Sequence, residues 1–152
     1  MNRMLKLLLL LSLFFAGSAQ AENMIMIRVG MSFDDTMIMM KEKLGEYGYK
    51  VAHIQKCDGG LGDAGYKTGF YKSIFFGKFE EMRQLTTRYP QMIPYVPLKI
   101  AVMEELDTIV LVAMNPSTLS EFFPEQELQT LFGRWESDIR AIFDEVRNAQ
   151  TF

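Results

Sequence analysis

The stretch HIQKCDGGLGDAGYKTGFYK, residues 53–72, carries the residues best suited to chemistry. His53 and Cys57 are the only histidine and the only cysteine in the chain. A histidine titrates near neutral pH and serves as a general acid or base, and a thiolate serves as a nucleophile or metal ligand. On a strand, His53, Gln55 and Cys57 project to one face, because side chains alternate. His53 and Cys57 then stand about 13 Å apart, at ~3.3 Å per residue, too far to share a metal or an ion pair unless the chain bends at Lys56. Zinc needs three or four such ligands. Asp58, Asp63 and Glu22 offer only oxygen ligands without a fixed spacing. No metal and no cofactor is expected.

The glycines after Cys57 invite a nucleotide reading. Gly60, Gly62 and Gly65 satisfy G-x-G-x-x-G, but a dinucleotide site needs a helix next, whose N-terminus faces the phosphate. A strand comes next here, so the reading fails. A loop beside an open sheet face remains, with Tyr66, Phe70 and Tyr71 as aromatic contacts. Ser73, Ser117, Thr118 and Ser120 lack a base and an orienting group in their surroundings, and no catalytic residue is assigned. Asn115-Pro116-Ser117-Thr118 reads as a strand-ending turn that caps the next segment. Lys78 and Lys99 sit at element ends where a cleft can open, although a solvated lysine is the ordinary reading. The candidate binding residues are therefore His53, Cys57, Asp58, Tyr66, Tyr71, Lys78 and Asn115.

These side chains must be positioned by the rest of the chain. Arg3 and Lys6 precede the apolar run LLLLLSLFFAG, and Ala19-Gln20-Ala21 supplies a small-x-small cleavage pattern. The run is too short for a stable span, and no cysteine comes after it for lipid attachment. Residues 1–21 are expected to be a signal peptide, cut after Ala21, leaving residues 22–152 as one periplasmic or secreted domain. Removing Arg3 and Lys6 takes 16 basic residues to 14 against 19 acidic, so the net charge moves from −3 to −5. A mildly acidic chain without basic clusters argues against nucleic acid. No second apolar segment argues for a membrane span after cleavage. One cysteine cannot form an internal disulfide, so Cys57 is buried, paired with another molecule, or exposed and vulnerable.

The spacing predicts a strand at 24–30, then a helix capped by Ser32 with Phe33, Met37, Met40, Leu44 and Tyr47 on one stripe, stopped by Gly48. Further strands are expected at 49–56 and 71–77. A helix over 78–90 turns Phe79, Met82, Leu85 and Tyr89 inward. Pro90, Pro94 and Pro97 make an extended loop. Strands at 98–105 and 108–115 flank a turn at Leu106-Asp107, the second apolar enough to be doubly buried. A terminal helical region, 124–148, buries Leu128, Leu131, Phe132, Trp135, Ile139, Ile142, Phe143 and Val146, with Gly133 a candidate break. Trp135 belongs to the core, its N–H seeking a partner. The order is β-α-β-β-α-β-β-α, an α+β chain without repeats.

The stretches SFDDTMIMMKEKLGEYGYKVAHIQKCD, YKSIFFGKFEEMRQL, YPQMIPYVPLKIAVMEELD and VLVAMNPSTL resemble the bacterial domain-of-unknown-function 302 family. The resemblance covers residues 26–147. It implies a TATA-box-binding-protein-like fold, a mostly antiparallel sheet with helices on one face, and a homodimer; it implies no catalytic activity. Many members carry cysteines where this chain has Gly77-Lys78 and Pro97-Leu98-Lys99, so thiol chemistry does not transfer.

Three functions fit these residues. The favoured one is an exported, non-catalytic domain that holds a small apolar ligand or a periplasmic protein partner. The second is a hydrolase or redox-associated enzyme with His53 as acid or base. The third is a dimeric accessory subunit of an exported redox system. A smooth apolar groove with His53 outside it favours binding, and a pocket joining His53 to a second polar group favours catalysis.

Overall fold

The computed structural model describes residues 22–57, 65 and 71–149. The elements run β1 (Met24–Val29), α1 (Phe33–Glu46), β2 (Lys50–Lys56), β3 (Tyr71–Gly77), α2 (Phe79–Arg88), a 3-10 helix (Pro90–Tyr95), β4 (Leu98–Glu105), β5 (Thr108–Met114), a second 3-10 helix (Pro116–Glu121) and α3 (Gln126–Asn148). This is the expected α+β order.

The five strands form one sheet in the order β1-β5-β4-β3-β2, every neighbouring pair antiparallel. Alternation sends Ile25, Ile27 and Val29 of β1, Ile109, Leu111 and Ala113 of β5, Leu98, Ile100 and Val102 of β4, and Ile74 and Phe76 of β3 to one face. There they join Met37, Met40 and Leu44 of α1, Leu85 of α2, and the buried stripe of α3 in a continuous core. Each large side chain removed from water in this layer contributes about 1.5–3 kcal/mol.

Helix α1 starts at the residue whose side chain suits a cap. Ser32 Oγ accepts from Asp35 N at 3.1 Å and donates to Asp35 Oδ2 at 2.6 Å, satisfying an end donor and placing acid at the positive end of the helix. The helix closes with Gly48 at φ +77° and Tyr49 N donating to Leu44 O at 2.9 Å; the left-handed turn is open to glycine at little cost. The stripe buries Met37, Met40 and Leu44, with Phe33 and Tyr47 packed at its margins.

Three expectations change. Residues 90–95 form a 3-10 helix instead of an extended loop; Pro90 stands in the first turn, where a missing N–H costs nothing. Helix α3 runs unbroken through Gly133, because the stripe on either side is anchored by Leu128, Phe132 and Trp135, and one glycine costs only ~1 kcal/mol against that burial. Phe79, the first residue of α2, is exposed, and Leu85 is the residue that the helix buries.

Candidate functional site

The sheet face opposite the helices is ordered by register into rows that cross all five strands. In the first row Met24 pairs with Met114, Lys99 with Phe75, and Phe75 with His53. Lys99 lies one step beyond the Ile100–Ala113 pair and so faces Met114. The second row is Met26, Val112, Ala101, Ser73 and Gln55. The third is Arg28, Val110, Met103 and Tyr71, reached by Cys57, whose N–H donates to Tyr71 O at 3.4 Å.

The middle row carries the small side chains Val112, Ala101 and Ser73, while Met114, Lys99 and Phe75 stand on one side of it and Met103 and Tyr71 on the other. The result is a trough. A cavity of about 570 Å³ occupies it and the adjoining 3-10 helix, lined by Met24, Phe75, Ala101, Met103, Val112 and Met114, with Pro94, Tyr95, Pro97, Leu98, Lys99 and Ile139. That volume lies in the usual range for a small-molecule site, about 300–1,000 Å³. Lys99 is the one charged residue in the lining among the described residues. Toward β1 the trough is exposed: its lining residues Met24 and Met114 and the neighbouring Met26 are 45%, 41% and 49% exposed. Flexible thioethers of this kind suit adaptable contact surfaces.

A β-bulge in β2 between Val51 and His53 shifts the register, so that Val51 and Ile54 both reach the core while His53 stands on the open face beside Phe75. Their ring centroids are 6.2 Å apart. His53 is exposed and lies outside the cavity lining, and its imidazole has no hydrogen-bond partner among the described residues. Cys57 is half-buried, with Sγ 3.6 Å from Ser73 Oγ and donating to Gln55 O at 3.6 Å. His53 and Cys57 thus share a face but stand two rows apart. Among the described residues no three His, Cys, Asp or Glu side chains gather as a metal site would require.

The remaining candidates are scattered. Lys78 lies on the helix side, its ammonium 4.9 Å from the centre of the Tyr49 ring. Asn115 is buried: its Oδ1 accepts from Ser117 N at 3.0 Å and its Nδ2 donates to Glu22 O at 2.9 Å. Beside it, burial pushes the Glu136 carboxyl up, but hydrogen bonds from Ser117, Arg140 and Asn115 together outweigh this and hold it below the usual carboxylate range. Asp58, Tyr66, Phe70 and the glycine loop apart from Gly65, like residues 1–21, lie outside the described residues. The trough-lining methionines, Phe75 and Ala101 were not singled out by residue chemistry. Their one sequence signal is apolar residues at both parities of β5, TIVLVAM, which marks a strand covered on both sides.

A second groove, about 420 Å³, runs between α2 and α3. Its charges are committed internally: Arg88 to Glu127 at 2.7 Å, and Arg134 to Glu81. Glu81 also accepts from Trp135 Nε1 at 3.2 Å, so the partner expected for the buried indole is found.

The profile of the family described as "Domain of unknown function DUF302" matches residues 25–146. A solved structure, "Crystal structure of uncharacterized conserved protein DUF302 from Bacillus stearothermophilus", is similar at a TM-score of 0.76 and 17% identity, covering 84% of this chain and 100% of that one. At that identity the likeness is one of fold. Among proteins of curated function none matches. No helix among the described residues is long and apolar enough to cross a membrane.

Proposed function

The chain belongs to the family described as domain of unknown function DUF302, and from that premise we propose that it is an exported, non-catalytic binding domain. Residues 22–152 act as a single unit after cleavage behind Ala21, and a small apolar ligand occupies the trough on the open sheet face. The observation that carries this reading is an apolar trough with His53 outside its lining. A general base needs a reacting group within hydrogen-bond reach and an orienting partner, and among the described residues the only ring neighbour of His53 is Phe75. The test is native mass spectrometry of protein purified from the periplasm. An apolar molecule lost on replacing Met114 with glutamate supports the trough, and an empty spectrum from native material argues against it. N-terminal sequencing of the same sample should begin at Glu22.

A second reading is favoured by the exposure of Met24, Met26 and Met114: a second copy of the chain covers this face as a homodimer, in the manner of an accessory subunit. Apolar patches of such continuity mark contact surfaces. Sedimentation of Met26→Glu beside the parent chain separates the two, because a dimer held by this face becomes monomeric in the variant.

A further inference from the structure

We infer that the trough selects an anionic amphiphile, an apolar body carrying one carboxylate or sulfonate that pairs with Lys99; this rests on the binding reading above. The first and second rows of the open face hold thioethers, aromatic and aliphatic groups, Ser73 and Gln55, but no acid. Among the described residues Lys99 is the only charge in the lining, and it has no ion-pair partner there. Among the described strand residues of this face the nearest acid by register is Glu105, three rows from Lys99, and Arg28 holds it at 2.8 Å. On a chain of net charge −3, the trough is therefore a local positive site.

Placement makes that charge useful. Lys99 stands between Met114 and Phe75, so its methylene stem extends the apolar wall while the ammonium reaches the rim. The small middle-row residues Val112 and Ala101, both in the lining, leave depth for an alkyl or aryl body beneath it. A neutral ligand gains only the apolar wall and leaves the ammonium to water. An anion gains the same wall and an ion pair at the exposed rim, worth about fivefold in affinity. A cationic amphiphile is disfavoured by the same charge.

Two fluorescent probes with a shared aryl amine body test this: 1-anilinonaphthalene-8-sulfonate, which is anionic, and N-phenyl-1-naphthylamine, which is neutral. The purified protein at low salt should bind the anionic probe about fivefold more tightly, and the preference should shrink as salt screens the pair. Lys99→Met should abolish the preference by weakening the anionic probe, with the neutral probe bound at least as tightly as before. A preference that survives Lys99→Met overturns the inference and leaves the trough standing. Failure of both probes to bind, or binding indifferent to Ala101→Phe, overturns the trough itself. Should Ala101→Phe not fold by circular dichroism, the rim variant Met114→Gln takes its place, with weaker binding of both probes expected and no change fatal to the trough.

Discussion

The Tyr49 hydroxyl donates to Asp138 Oδ2 at 2.6 Å, joining the entry to β2 with the middle of α3. Tyr49 is 3% exposed, and its ring meets Phe76 edge-on at 5.4 Å. Tyr49→Phe keeps that packing but strips a half-buried carboxylate of its donor. The expected cost is about 1–3 kcal/mol in urea unfolding, tracked by the fluorescence of Trp135, the only tryptophan. An unchanged midpoint would show that water replaces the hydroxyl.

The same contact sets an alkaline limit. Burial, and then the hydrogen bond to Asp138, push the Tyr49 hydroxyl above its ordinary range. The unfolded tyrosine ionises near pH 10, whereas the folded one keeps its proton. The folded chain thus binds more protons above pH 10, and stability that is full below that pH falls as pH rises. Tyr49→Phe should show a shallower decline between pH 9 and 11; parallel declines would exclude Tyr49 as the cause.

Asn115→Ala removes the acceptor for Ser117 N and the donor to Glu22 O together. A loss of about 1–2 kcal/mol is expected from a thermal melt, with probe binding in the trough unaltered. A normal melt with weakened binding would instead move Asn115 from scaffold to ligand contact.

Leu106 sits in the β4–β5 turn at φ 54° and is 93% exposed. A leucine in the left-handed region costs about 1–2 kcal/mol, and its side chain meets little that offsets this. Leu106→Asn should raise stability by about 1 kcal/mol, read as a higher urea midpoint at constant slope. A lower midpoint would mean that the leucine is covered in solution.

His53→Ala and Cys57→Ser should each leave stability within about 0.5 kcal/mol and leave probe affinity unchanged. Loss of an activity of the native protein with an unaltered melting temperature would restore His53 as a catalytic candidate.

The core layer was legible because helix and strand periods recur locally: the Met37–Met40–Leu44 stripe and the Ser32 cap are read within a few residues. Phe79 and Gly133 misled for a related reason. Local pattern says that a phenylalanine buries and a glycine breaks, and the tertiary setting of α2 and α3 decides otherwise. The trough was not legible, because Met24, Met114, Lys99 and Phe75 meet only through register among strands far apart in the chain. His53 and Cys57 were correctly sent to one face by alternation, yet nothing local could show that the small residues Ala101 and Val112 hollow out the row between theirs.

The strand order leaves β1 and β2 as the outer members of the sheet, and the two margins are unequally guarded. Strand β2 bears Lys50 and Lys56 at its ends and a bulge that breaks its ladder, features that discourage a foreign strand from docking. Strand β1 pairs regularly over six residues with Arg28 as its single charge. Runaway strand addition in crowded or overexpressed material is therefore directed to one flank of the molecule, and a lysine introduced on β1 is the economical way to keep it in solution.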